Sequence, residues 1–438
     1  MVFLSEFGLF KNKWKLLVLL AGVFLIEAIL SIWTGLPYDN EVWFNTGKWI
    51  NQGINIYEPP NHIAYPPLWA LWCSVAYHFH NIFSNSIEVW RFVIKLPMIL
   101  AHLGLAYALG VFATNQFDRK TGMKLFLISL TWVFFIFIGA LWGQINTLSA
   151  LLTFLAFYAM IEQKTVSSAL LLATAIILKI YPIITLPAFF AYILRNRNKK
   201  EASKFLFICC SVPILFTVLF FGVFNWDIIF FFKTIFYSTP VFESNPVQIL
   251  GGAANIWSFF ALLAFDQAKF WFLRLVWIPI LAIGSFCWIR KSKIDTQDFT
   301  FSIVSLYILF LISYGWVTEQ LFLDPLPFIF LLIFAFRPRR LSLYILIFIQ
   351  ILVYSFSAVN WGPFIFEPLI KRFFPSLLQL IFALDPSKSS QIWYIRGTIG
   401  LIITIFLFIF LLILWKPNNL RRFFRTKIGK FTRQSNTK

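Results

Sequence analysis

Long apolar runs, separated by short polar segments, recur along nearly the whole of this chain. A helix needs about 20 such residues to cross a bilayer. Candidate spans fall at 16–33, 92–113, 124–141, 144–161, 166–178, 182–194, 204–222, 270–289, 299–315, 321–336, 341–358 and 393–415. The fold class this implies is all-α: a polytopic membrane protein with about 12 transmembrane helices. The composition agrees. The chain is 60% hydrophobic and 13% charged, with a mean hydropathy of +0.79, where soluble domains run at roughly 45–50% apolar and about 25% charged. So little charge cannot cover a soluble surface. Residues 1–415 therefore read as a single membrane domain, followed by a basic tail, 416–438. The first run is followed by Ser31-Ile32-Trp33, too bulky for a signal-peptidase site, so it should persist as the first span.

The net charge of +19 would in a soluble protein raise nucleic acid as a partner. In a membrane protein the competing cause is the excess of Lys and Arg in cytoplasmic segments. With both termini inside, the inner segments are 1–15, 114–124, 162–165, 195–204, 290–298, 337–340 and 416–438. They hold 26 of the 37 basic residues and 6 of the 18 acids. The basic excess is thus an orientation signal, membrane lipids are the partner for tail residues such as Arg421 and Arg422, and no nucleic acid is implied. The four cysteines form no Cys-x-x-Cys pair and read as packing residues.

Most remaining acids fall in three long outer loops, about 34–90, 223–269 and 359–392. Transporters usually place their chemistry at the bilayer midplane. Polar residues gathered above a hydrophobic bundle favour an enzyme at the outer membrane surface. The first loop carries a short apolar piece, Leu68 to Phe79, that reads as an interfacial or re-entrant helix. His78 and His80 at its end could bind a metal, although interface polarity explains them as well. Gly53 reads as a helix stop and Pro59-Pro60 as a rigid turn.

Several constellations could carry chemistry. Asp39 and Glu41 stand two residues apart just beyond the first span. A carboxylate near low-dielectric surroundings can serve as a base, while Asp39 could equally cap a helix over 41–51. Aromatic residues beside amides, from Trp49 through Tyr57 and Tyr65 to Trp69, suit a sugar-binding cleft or an interfacial anchor. Trp142-Gly143-Gln144-Ile145-Asn146 joins two spans at their outer ends. Lys179 lies at a break between two short apolar runs, with Pro182 behind it. A lysine at membrane depth is a functional candidate with phosphate as its natural partner; snorkelling to the interface is the plainer account. Asn255-Ile256-Trp257 and Thr318-Glu319-Gln320 are also outer. No phosphate-binding glycine loop or zinc-protease motif occurs.

In that order these segments resemble the GT-C superfamily of polyprenyl-phosphate-sugar-dependent glycosyltransferases, over about residues 16–336. The matching steps are the first-loop acids Asp39 and Glu41, Tyr65-Pro66-Pro67-Leu68, Gly143-Gln144-Ile145-Asn146 (Asn where Asp is common), Lys179-Ile180-Tyr181-Pro182, Asn255-Ile256-Trp257 and Thr318-Glu319-Gln320. His102 departs from the pattern, standing where relatives often carry Asp after the lysine matched by Lys95. The resemblance implies an inverting transfer of a sugar, mannose first among candidates, from a polyprenyl-phosphate donor to a lipid- or protein-linked glycan acceptor. It implies Asp39 as base with Glu41 as helper or substitute, and Lys179, then Arg91 or Lys95, at the donor phosphate. It places Tyr65, Gln144, Asn146, Tyr181, Asn255, Trp257, Glu319 and Gln320 around the substrates, with no metal and no cofactor. It also implies a multi-pass protein of a prokaryotic plasma membrane, or of the endoplasmic reticulum. Two other classes remain open: a transporter or lipid flippase, suggested by the Lys179 break and by Glu27 inside the first span, and a non-catalytic scaffold, which would need no outer acid.

Overall fold

The structure is a computed structural model. It describes residues 13–58, 63, 65–83, 86–236, 253–262, 275–291, 293–315, 317–336, 340–360, 362–378 and 390–415. The expected Pro59-Pro60 turn and the tail 416–438 lie outside these residues. Among the described residues every regular element is a helix. Among the described residues, seven helices are long and apolar enough to cross a membrane, and one bent pair makes an eighth if it is a single span. The described parts of the twelve runs fall mostly on helix, but some of the helices are too short to span alone, among them Asn146–Ile161, Thr165–Leu178 and Trp277–Ile289.

The first span, α1 (Lys13–Trp33), lies against α4 (Ile87–Gln116) and turns most of its apolar surface outward. Its one acid is sealed inside that contact. Glu27 Oε1 lies 2.5 Å from His102 Nδ1, and His102 Nε2 donates to the Ser129 carbonyl at 2.9 Å. A carbonyl only accepts, so Nε2 carries the proton of that bond and Nδ1 faces Glu27. The pair joins α1 and α4 to α5 (Arg119–Thr131) and is almost wholly buried. Glu27 therefore fastens helices together, and the placement of His102 follows from the same pairing.

Two helices of the loop between α1 and α4, α2 (Pro37–Asn51) and α3 (Pro67–Ile82), pack on each other beside α4. Pro37 starts α2, since its ring fixes φ and its missing N–H is not needed in the first turn. Gly53, at φ +71°, stands just past its end. The loop then folds onto α10 (Lys199–Phe224). Tyr57 stacks on Phe221 at 5.1 Å and donates its hydroxyl to the Tyr65 carbonyl at 3.0 Å. His80 is held by the Ser86 carbonyl at 2.9 Å.

Trp132 is extended and breaks α5 from α6 (Val133–Trp142), bending the pair by 43°. The last turns of α6 widen to π geometry, and Gly143 reverses the chain at φ +92°. A side chain there would be strained and would lie 3.0 Å from the stem of Lys95. Then α7 (Asn146–Ile161) and α8 (Thr165–Leu178) pack together, with α10 on the outside of α8. Lys179 is extended, so α8 stops. Pro182 lies in the 3-10 turn Tyr181–Thr185 before α9 (Leu186–Asn196). The helices Thr296–Ser313, Glu319–Phe336, Arg340–Asn360 and Ser390–Trp415 complete the core.

Candidate functional site

The breaks in these helices converge. Asp39 sits in the first turn of α2, where helix N–H dipoles favour an anion. It does not cap that helix, as one reading of the sequence allowed: Leu36 is the cap residue, and the carboxylate turns away. Its Oδ2 accepts from Trp142 Nε1 and from Gln144 Nε2, each at 2.7 Å. Tyr65 in turn donates to Gln144 Oε1 at 3.3 Å. The loop after α6 thus grips Asp39 from one side, and Gly143 makes that tight reversal possible.

Lys179 occupies the other side. Because it stands in extended backbone past the end of α8, its side chain leaves the helix surface and enters the bundle. Nζ donates to Asn146 Oδ1 at 2.7 Å and to Gln320 Oε1 at 3.1 Å. The rings of Tyr65 and Tyr181 lie 5.9 and 5.6 Å from it, within cation–π range. Asn146 Nδ2 donates to Asp324 Oδ2 at 2.9 Å. Lys179 is 5% exposed, so it is not snorkelling to water. Glu319 lies next to Gln320 and accepts from Asn360 Nδ2 at 3.1 Å, with Arg396 in electrostatic reach; its Oε2 receives no hydrogen bond from the protein.

Asp39 is partly exposed in this framework, at the rim of the cluster. Burial pushes its carboxyl up to about 6; the Trp142 hydrogen bond, the Lys179 charge and the Gln144 hydrogen bond each oppose that rise. Such a group is ionised near neutrality yet basic enough to take a proton. Burial also pushes the Tyr65 phenol well above its ordinary value, with the Asp39 charge adding to the shift, so it remains a donor.

The structure therefore brings together Asp39, Tyr65, Gln144, Asn146, Lys179, Tyr181 and Gln320, with Glu319 adjoining. The other named residues lie elsewhere. Glu41 is exposed; two residues apart on a helix do not share a face, so Asp39 and Glu41 do not form a joint metal-ligand pair. Lys95 stands apart from the cluster: its ammonium is fully buried and donates to the carbonyls of Ser31 (3.1 Å), Thr34 (2.8 Å) and Leu141 (2.9 Å). Three N–H groups are met by three carbonyls, which binds α1 to α6 and leaves nothing for a ligand. Arg91 lies near the N-terminal end of α4, within reach of Glu88 and Glu367. Asn255 donates to the carbonyls of Leu311 and Tyr314 at 2.8 and 2.9 Å, and Trp257 Nε1 to that of Ser313 at 3.0 Å. Both close the end of the Thr296–Ser313 helix, so their polar groups are occupied. Trp43 and Trp69 pack edge to face at 5.4 Å beneath the cluster. Among the described residues, no three His, Cys, Asp or Glu side chains gather as a ligand set.

Sequence reasoning named Trp142 within a candidate constellation but gave it no role, and it missed Asp324 as a site residue. Trp142 gave no local signal beyond its neighbours. Asp324 did: it is a lone carboxylate within the apolar run 321–336, and an ionisable group at membrane depth is a functional candidate in its own right.

Residues 63–313 match the family model described as Glycosyltransferase family 87, more than half of the chain. No curated protein matches. The matched segment contains Tyr65, Gln144, Asn146, Lys179 and Tyr181. Asp39, Glu319, Gln320 and Asp324 lie outside it and join the same cluster through the fold.

Proposed function

The chain belongs to glycosyltransferase family 87, and we propose that it transfers mannose, with inversion, from a polyprenyl-phosphate donor to a hydroxyl of a lipid- or protein-linked glycan. The reaction takes place at the outer face of a prokaryotic plasma membrane, with both termini in the cytoplasm. The observation that carries this reading is the placement of Asp39 at the rim of a buried polar cluster, opposite Lys179.

In this reading the acceptor hydroxyl approaches from the outer side and gives its proton to Asp39. Its oxygen attacks the anomeric carbon from the face opposite the phosphate. The bond from that carbon to the phosphate oxygen breaks, and the electron pair leaves with polyprenyl phosphate. The new negative charge is met by Lys179, held in place by Asn146 and Gln320. A preset cation in a low-dielectric site stabilises such charge with little reorganisation. The free oxygen of Glu319 suits a sugar hydroxyl, which can donate to it. Trp142 and Gln144 hold the working oxygen of Asp39 in place.

The test is to incubate purified protein with polyprenyl-phosphate mannose and, separately, with polyprenyl-phosphate glucose, and to follow release of polyprenyl phosphate with a glycan acceptor present. Consumption of the mannose donor by wild type and not by Asp39→Asn is expected. Consumption of the glucose donor alone would change the sugar. Full turnover in Asp39→Asn would remove the mechanism.

A further inference from the structure

We propose that Asp324, acting through Asn146, keeps the Lys179 ammonium charged and aimed into the site. Its functional consequence rests on the reading of Lys179 as the donor-phosphate group; the coupling of the two residues does not.

A buried lysine loses its proton readily unless an opposite charge stands nearby. The atoms that directly hold Lys179 are neutral amide oxygens, those of Asn146 and Gln320. Asn146 connects the first of these to a full charge. Its Oδ1 accepts from the ammonium at 2.7 Å and its Nδ2 donates to Asp324 Oδ2 at 2.9 Å. An ammonium cannot accept and a carboxylate cannot donate, so the amide has one orientation only. Asp324 is 1% exposed, and its other oxygen receives no hydrogen bond from the protein. A carboxylate is costly at such a position, and the neighbouring ammonium gives a reason for it.

The charged and titratable groups facing Lys179 are Asp39 from α2, Asp324 from the Glu319–Phe336 helix, and the phenols of Tyr65 and Tyr181. Tyr307 lies beyond Asp324, and Glu319 stands within reach of Asp39. Of the two facing carboxylates, Asp39 becomes neutral when it takes the acceptor proton. Asp324 is then the one that still offsets the lysine while the phosphate departs. The intervening amide also matters. A direct ion pair would draw the ammonium away from a phosphate, whereas the relay leaves one N–H for a ligand. Asp324 is thus a positioning residue.

The test reads Lys179 itself. Full-length protein in detergent is pulsed with labelled acetic anhydride between pH 6 and 9, and acetylation at Lys179 is followed by mass spectrometry; only the neutral amine reacts. In Asp324→Asn, acetylation at pH 6, where most of the amine is protonated, is expected to rise roughly tenfold over wild type, a shift of about one pKa unit. Asp324→Glu should restore slow labelling. An unchanged labelling profile in a monodisperse Asp324→Asn protein would overturn the proposal. If that variant does not fold, Asn146→Leu cuts the relay and carries the same two outcomes. A second arm measures binding of polyprenyl-phosphate mannose, a phosphodiester that does not titrate near neutrality. Its affinity for Asp324→Asn should begin to fall at a lower pH than for wild type, in step with acetylation. Labelling that shifts while binding does not would leave the coupling standing and remove Lys179 from the donor phosphate.

Discussion

The indole N–H of Trp142 donates to Asp39 Oδ2 across 2.7 Å, although 103 positions separate the two residues. The bond ties α2 to the loop after α6 and aims the carboxylate at the cluster. Gln144 makes a second bond of the same length to the same oxygen. Both donors favour the ionised form of Asp39, against the burial that raises its proton affinity.

Removing the base should stop the chemistry with little effect on folding. Asp39→Asn keeps the shape and the acceptor oxygen, and is expected to lower kcat by about 10²–10⁴-fold, the usual range for a general base. Glu41→Gln, at an exposed position, should stay within about twofold, since surface changes usually move stability and activity little. Sugar transfer by the two purified variants checks this, and a larger loss in Glu41→Gln would shift the base role to that residue.

In the proposed mechanism Asp39 works as the carboxylate, so activity should be present above its pKa and fade as pH falls through about 6. Trp142→Phe removes a hydrogen bond that favours ionisation. It should move the acid limb of kcat/KM to higher pH, with a larger loss at pH 6 than at pH 8. A pH–rate profile of both proteins decides it; a limb that stays in place would mean that Trp142 only fills space.

Lys179→Met deletes the ammonium and should weaken donor binding by about ten- to a hundredfold, as for a hydrogen bond to a charged group worth roughly 1.5–3 kcal/mol. The loss should be larger for phosphate-bearing lipid than for the acceptor. Equilibrium binding of polyprenyl-phosphate mannose and of the acceptor, measured separately, tests that asymmetry.

Lys95→Met should behave differently. It strips the donor from three carbonyls between α1 and α6, and each unsatisfied buried group costs about 1–3 kcal/mol. The expected result is a clear drop in thermal stability in detergent. Gly143→Ala should fall in the same class, at about 1–3 kcal/mol for a strained backbone, because its added carbon meets the Lys95 stem. Thermal melts monitored by fluorescence check both. A stable Lys95→Met protein with weakened donor binding would return Lys95 to the phosphate.

Much of this protein could be read directly from its residues. The apolar runs determined an all-helical membrane body, because a backbone in hydrocarbon must satisfy itself. They also showed where the helices break: Pro182 after Lys179, and Gly143 after α6. Asp39, Gln144, Asn146 and Lys179 stood out because polar residues at such breaks need a reason. Sequence could not decide which way those side chains point. Lys95 and Lys179 look alike as lysines beside apolar runs, yet one is consumed by three carbonyls and the other faces a ligand-sized partner set. Asn255 matched a family motif, but its amide closes a helix end. Asp324 passed as one polar residue in an apolar stretch until packing set it behind Asn146. A hydrogen bond acts over about 3 Å, whereas these partners lie far apart along the chain. Only the tertiary structure brings them within that distance, and so only it separates the groups that hold the fold from those free to act.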